Sequence, residues 1–237
     1  MNVPYAMELV EDCLSCNLCS QGFFCHLPKS VMESFQSLKF TLAYPAGATL
    51  FVEGQLCRGI YILCKGRVKI FTTSSEGQVL ILKIARPGEV LGLNPTISGI
   101  PHETTAETGQ SCQLNFVKQA DFLRFLTEHT DACMNAAIHL RRECQQAYVQ
   151  LRSFVMASAP QRIAHLMLDW SHEDSATARV RGIKVALTHE EIGQIIGMSR
   201  ETVTRTLADF RKQRIAELHG SNLLIRNLSA IQKLAGT

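Results

Sequence analysis

Seven residues, Cys133, Ala137, Leu140, Cys144, Ala147, Leu151 and Phe154, follow one another at intervals of 4, 3, 4, 3, 4 and 3. Only an α-helix aligns such positions on one side, and a sustained average spacing of 3.5 makes a narrow seam rather than the broad apolar face of an ordinary surface helix. Small Cys and Ala at alternate steps let two backbones approach, while Arg141, Arg142, Glu143, Gln145 and Gln146 lie off the stripe. The seam therefore predicts a long helix that pairs with a second copy, the alternative being a helix laid on its own domain. Cys133 and Cys144 are then packing residues, not ligands. Pro160, next to Ala159, marks a hinge beyond it.

Ahead of this helix the rhythm is different. Between Lys39 and Phe116 lie short β-rich runs, 50–52, 60–63, 68–71, 79–84 and 112–116, separated by Gly47, Gly54, Gly66, Gly77, Gly88 and Gly92. Strands of this length with turn residues between them predict an antiparallel sandwich or jelly roll.

Past the helix, Thr188 with Glu191 three residues on forms a capping box, opening a helix with Ile192, Ile195 and Ile196 inside. Gly193 leaves room for a close crossing, and Gly197 suits a turn of positive φ. Ser199 caps a second helix with Val203, Leu207 and Phe210 inside. Ser199, Arg200, Glu201, Thr204 and Arg205 are thereby left at its outer first turns, where a recognition helix enters the major groove of double-stranded DNA. Arginine can bind guanine O6 and N7 with two hydrogens, and glutamate can accept from cytosine N4. Arg211, Lys212 and Arg214 remain for phosphates. The flanks of His219-Gly220-Ser221-Asn222 read as a hairpin, making the unit a winged helix-turn-helix.

The charge agrees with that placement. Residues 1–159 carry 13 basic and 13 acidic side chains, whereas residues 160–237 carry 11 and 8, so the whole +3 lies in the last third. Glu8, Glu11 and Asp12 stand where a secretion signal would be positive, and no run is apolar enough to span a membrane; a cytoplasmic chain is expected. His26, His102, His165, His189 and His219 are scattered without a catalytic context, so no enzyme activity is expected.

The expected fold class is α+β, in four parts: a cysteine-rich segment over 1–28, a β-roll over 29–128, a dimerisation helix over 129–158 and a winged helix-turn-helix over 159–237. With those residues in view, the chain resembles the CRP/FNR family of bacterial transcription regulators, and the run from Leu187 to Arg205 is similar to that family's signature. The resemblance implies a homodimer on a palindromic operator, with RNA polymerase as a further partner. It also implies that Arg200, Glu201 and Arg205 read bases, with half-sites of the TGTGA rather than the TTGAT type because Arg200 is an arginine. Cyclic-nucleotide binders of the family hold ribose and phosphate with a Glu after Gly and an Arg-Ser pair; Gly92-Leu93-Asn94 and Thr104-Thr105 stand here instead. Cyclic AMP binding in that manner loses its anchors.

Nine cysteines in a reducing compartment point to metal binding or redox sensing rather than to a disulfide framework. Four of them, Cys13, Cys16, Cys19 and Cys25, crowd into the first twenty-five residues. Cys16, Cys19, Cys25 and Cys112 are similar to the four ligands of the FNR branch, which implies an oxygen-labile 4Fe-4S cluster controlling the dimer, with nitric oxide a second attacker. Cys13 is a spare or a substitute ligand, and Cys57 and Cys64 are packing residues. Four thiolates also suit tetrahedral zinc, so a zinc-stapled regulator, a metal-free thiol switch and an iron-sulfur electron carrier stand as alternatives.

Overall fold

The computed structural model describes residues 5, 7, 9–14, 16, 27–173, 183–184, 187–219 and 222–236. The chain divides into two compact units, residues 1–145 and 146–237.

In the first unit, α1 (Lys29–Leu38) turns Val31, Met32 and Phe35 inward. The strands β1 (Phe40–Tyr44), β2 (Thr49–Phe51), β3 (Gly59–Lys65), β4 (Val68–Thr73), β5 (Val79–Ala85), β6 (Val90–Leu91), β7 (Thr105–Thr108) and β8 (Cys112–Lys118) follow. They form two four-stranded sheets, ordered β1-β8-β3-β6 and β2-β7-β4-β5, with antiparallel pairings throughout. A short helix, α2 (Leu93–Ser98), separates β6 from β7, and α3 (Gln119–Glu128) and α4 (Thr130–Met156) follow β8.

Because side chains alternate along a strand, the first sheet serves two cores. From β8, Cys112 and Leu114 pack with Leu50, Phe51, Leu63, Val68 and Ala106 in one cluster. Val117 packs in the other with Phe35 of α1, Phe122 and Phe125 of α3, and Ile60 and Ile62 of β3. Phe35 meets Phe125 edge-on at 5.7 Å, and truncating either to Ala would cost about 3 to 5 kcal/mol. The β3–β8 register slips between Leu63 and Lys65, leaving Cys64 as the extra residue of a bulge.

The predicted long helix is α4, 27 residues. Ala132 and Ala136, four apart, are buried in the helical core of the first unit, with Leu140 half-buried on the same line. Cys133, Ala137, Cys144, Ala147 and Leu151 of the predicted seam are exposed in the single chain, and Phe154 is half-buried. Tyr148 (69%), Leu151 (60%) and Val155 (75%) leave a large apolar surface without cover from this chain. Farther back on the helix, Glu143 lies 3.7 Å from Lys83 and 3.5 Å from His139, and Lys83 also reaches Glu89 at 2.7 Å.

The second unit contains α5 (Ala159–Glu173), β9 (Ile183–Lys184), α6 (His189–Ile196), α7 (Arg200–Lys212), β10 (Ala216–His219), β11 (Asn222–Ile225) and α8 (Leu228–Ala235). The three strands form an antiparallel sheet in the order β10-β11-β9. Its core joins Ile163 and Met167 of α5, Ile192 and Ile196 of α6, Val203, Leu207 and Phe210 of α7, and Leu223 and Ile231. None of the described helices is long and apolar enough to cross a membrane.

Candidate DNA interface and cysteine sites

The turn between α6 and α7 is fixed by local chemistry. Glu191 N donates to Thr188 Oγ1 (3.1 Å) and Thr188 N donates to Glu191 Oε2 (2.9 Å), the reciprocal pair of a capping box. Gly197 adopts φ 65° and ψ 44° and donates its N–H to Gly193 O. A Cβ on Gly193 would lie 2.5 Å from Met198 O, so the close approach at Gly193 is to the backbone of the turn. Ser199 Oγ accepts from Thr202 N at 3.3 Å and starts α7.

From that start α7 places Val203, Thr206, Leu207 and Phe210 inward. Ser199, Arg200, Glu201, Thr204, Arg205, Arg211 and Lys212, the sequence-predicted DNA contacts, are all exposed. The Glu201 carboxyl lies below the usual carboxylate range because it accepts from its own backbone N–H at the helix start and from the Ser199 hydroxyl. Its two oxygens offer about four acceptor sites, so it can accept from a base while keeping those bonds. Lys212 lies 3.8 Å from Asp209 in solvent, a pairing worth little.

Two residues absent from the sequence expectation act on this motif. His189 Nδ1 lies 2.9 Å from Thr204 Oγ1, and Thr204 Oγ1 donates to Arg200 O at 2.9 Å, so the first residue of α6 is clipped to the outer face of α7. Arg162 of α5 donates through Nη2 to Phe154 O (2.7 Å), through Nε to Ala157 O (3.0 Å) and through Nη1 to Ile196 O (2.8 Å). Its guanidinium also stands 5.5 Å from the Phe154 ring centre. One side chain thus takes the end carbonyls of α4 and α6, groups that have no partner within their own helices. The His189–Thr204 and Arg162–Ile196 contacts have no local sequence signal, since those partners stand 15 and 34 residues away.

The cysteines divide. Cys112 is fully buried as the first residue of β8, and its thiol donates to Gln110 O (3.2 Å) and Arg67 O (3.3 Å). Burial pushes this thiol up, so it holds its proton. Cys16 is half-buried; Cys19 and Cys25 fall outside the described residues. Among the described residues no three His, Cys, Asp or Glu side chains converge as a metal set. The tail ahead of Cys16 is nonetheless fastened beside β8: Val10 N donates to Gln113 Oε1 (3.0 Å) and Gln113 Nε2 donates to Val10 O (2.6 Å). Cys13 sits against the helical core, where burial pushes its thiol up, Lys39 opposes this, and Cys16 and Asp12 add to it. Cys57 Sγ is 3.1 Å from Thr96 Oγ1 inside the roll.

Where a nucleotide binder would anchor its ligand, Leu93 is buried at the start of α2 and Asn94 Nδ2 donates to Glu103 Oε2 at 2.8 Å. Nearby, His102 stacks on Phe51 with ring centres 3.8 Å apart, and burial holds its pKa below the ordinary value.

Two family profiles match the chain, that of the cyclic nucleotide-binding domain over residues 41–129 and that of the Crp-like helix-turn-helix domain over residues 161–234. The chain is 25% identical over 195 residues to the cAMP-activated global transcriptional regulator CRP of Escherichia coli O6:H1, covering 82% of this chain and 93% of that protein. With the cyclic AMP receptor protein of Thermus thermophilus it shares 24% over 192 residues, 81% of this chain and 86% of that one. Among solved structures, FixK2 from Bradyrhizobium japonicum shares the fold at TM-score 0.74 and 21% identity, covering 83% of this chain and 96% of that one. CooA from Carboxydothermus hydrogenoformans does so at TM-score 0.74 and 18% identity, covering 93% and 98%.

Proposed function

We propose that this chain, which belongs to the CRP/FNR family of DNA-binding transcription regulators, controls its dimer through an oxygen-labile 4Fe-4S cluster held by Cys16, Cys19, Cys25 and Cys112. The observation that carries this reading is the set of four thiols itself, three on a tail whose preceding residues are fastened to Gln113, the neighbour of Cys112. All-thiol donors suit iron-sulfur chemistry. Cys112 faces the inner core of the roll, whereas Gln113 beside it faces the tail; before Cys112 can ligate, its thiol must release the proton it gives to Gln110 O and Arg67 O and the start of β8 must turn that side chain toward the tail. The cluster, when bound, supplies a centre that oxygen or nitric oxide can attack. The chain's own residues do the rest: the exposed seam of α4 meets a second copy, and two copies of α7 present Arg200, Glu201 and Arg205 to a palindrome of TGTGA-like half-sites. Recruitment of RNA polymerase belongs to the same reading.

Anaerobic purification followed by iron and acid-labile sulfide analysis, an absorption spectrum and operator binding before and after air tests it. A brown protein that loses colour, dimer and operator binding together is expected. A colourless, zinc-loaded protein, or one that binds the operator equally well before and after air, would overturn it.

A further inference from the structure

Asn115, in the middle of β8, is only 2% exposed, and its amide is spent in an unusual way. Its oxygen accepts from Thr41 Oγ1 at 3.0 Å, but its nitrogen donates to two sulfurs, Cys64 Sγ at 3.2 Å and Cys13 Sγ at 3.6 Å. A neutral thiol is a weak acceptor, whereas a thiolate is a strong one. One buried amide nitrogen thus holds the two sulfurs side by side, and its hydrogen bond to Cys13 opposes in part the burial that pushes that thiol up. We propose that Cys13 and Cys64 form a redox-active dithiol, oxidised by a low-molecular-weight disulfide to an intrachain bridge that fastens the cysteine-bearing tail to the β-roll.

Asn115 brings the two sulfurs within reach of one amide. Two sulfurs hydrogen-bonded to one nitrogen are separated by at most about 7 Å, the two hydrogen bonds laid end to end, and that is the gap bridge formation has to close. Cys13 cannot drift from its partner, because its own N–H donates to Gln36 Oε1 (2.8 Å), Gln36 Nε2 donates to Asp12 Oδ1 (3.0 Å) and Lys39 Nζ donates to Glu11 O (2.6 Å). Cys64 is the extra residue of the β3 bulge, where the ladder leaves the backbone some freedom. Both thiols are half-buried, open enough for a small reagent.

The reaction balances. One thiolate attacks a sulfur of the small disulfide and expels a small thiolate; the second attacks the resulting mixed disulfide and expels the other. Two electrons pass from the protein thiols to the reagent, and the two protons leave on the two small thiols. The inference does not rest on the 4Fe-4S reading, because neither Cys13 nor Cys64 belongs to the assigned ligand set.

The test incubates the full-length protein without oxygen in a series of reduced and oxidised glutathione mixtures, traps free thiols by alkylation and maps linked peptides by mass spectrometry. A peptide pair joined through Cys13 and Cys64 should rise in one two-electron transition, in iron-containing and iron-free preparations alike. Cys64→Ser should then leave Cys13 free or carrying a single glutathione, and Cys13→Ser should do the same to Cys64, each variant keeping the wild-type far-ultraviolet spectrum. Recovery of Cys13 linked to Cys16 or to any thiol but Cys64 overturns the proposal. So does alkylation of both residues at every ratio in natively folded wild-type protein.

Discussion

Replacing Arg162 by Ala removes three hydrogen bonds from one charged group and leaves Phe154 O, Ala157 O and Ile196 O to find other partners. A hydrogen bond to a charged group contributes about 1.5 to 3 kcal/mol when buried, but this site is only partly buried and water can reach some of the carbonyls. Discounting for that, and adding the lost favourable charge at two helix ends of a few tenths of a kcal/mol each, the expected destabilisation is about 2 to 3 kcal/mol. For a unit of this size each kcal/mol shifts Tm by roughly 4 to 8 °C, so Arg162→Ala should melt roughly 8 to 24 °C lower. Circular dichroism on the wild type, Arg162→Ala and Arg162→Lys would read this. The lysine keeps the charge but not the planar fork, and should fall between the other two. Operator affinity should fall as well, because Arg162 holds the end of α6 that sets the turn into α7. An Arg162→Ala protein that melts within 2 °C of wild type would show that water satisfies these carbonyls, and the assignment of Arg162 as the clamp on two helix ends would be wrong.

Three further outcomes are expected. Leu151→Asp, at an exposed seam position, should yield monomers on sedimentation with weakened operator binding and an unchanged melting of the first unit; Leu140→Asp would disturb the roll's core as well, so its effect mixes two causes. Arg205→Ala should weaken the cognate site by roughly ten- to a hundred-fold or more while sparing random DNA, whereas Arg211→Ala should weaken both alike and flatten the salt dependence; equal losses for Arg205→Ala would make it a phosphate contact. Burial lowers the pKa of His102 in the folded state, so the unfolded chain binds the extra proton first: its contribution is fully present above the unfolded value of 6.5 and is lost as pH falls from there through the lower folded value. Urea titrations from pH 8 to 5 should show that decline in the wild type and a flatter profile in His102→Leu.

The parts of the fold visible in sequence are those whose causes are local. The capping box, the φ of Gly197 and the inner faces of α6 and α7 each depend on residues within a turn or two of one another, and α4 announces itself by its own period. The strands β2, β3, β4, β5 and β8 show as apolar runs between glycines. By contrast, β7 is Thr-Ala-Glu-Thr, held in its sheet by β2 and β4 on either side rather than by its own propensity, and α1 offers three buried residues amid serines. The same division holds in the sites. The exposed arginines of α7 follow from periodicity. The clamp at Arg162 and the sulfurs on Asn115 join residues up to 102 positions apart, and only the folded chain brings them together.

Pairing through the uncovered face of α4, as proposed, would tie the activity of this regulator to its abundance. Where single chains predominate, the population of pairs grows as the square of the amount of protein, and operator occupancy follows the pairs rather than the chains. A modest rise in synthesis, or a modest fall through proteolysis, is then amplified into a steeper change at the promoter. Any signal that strengthens pairing moves the threshold of that response without altering a single contact to DNA.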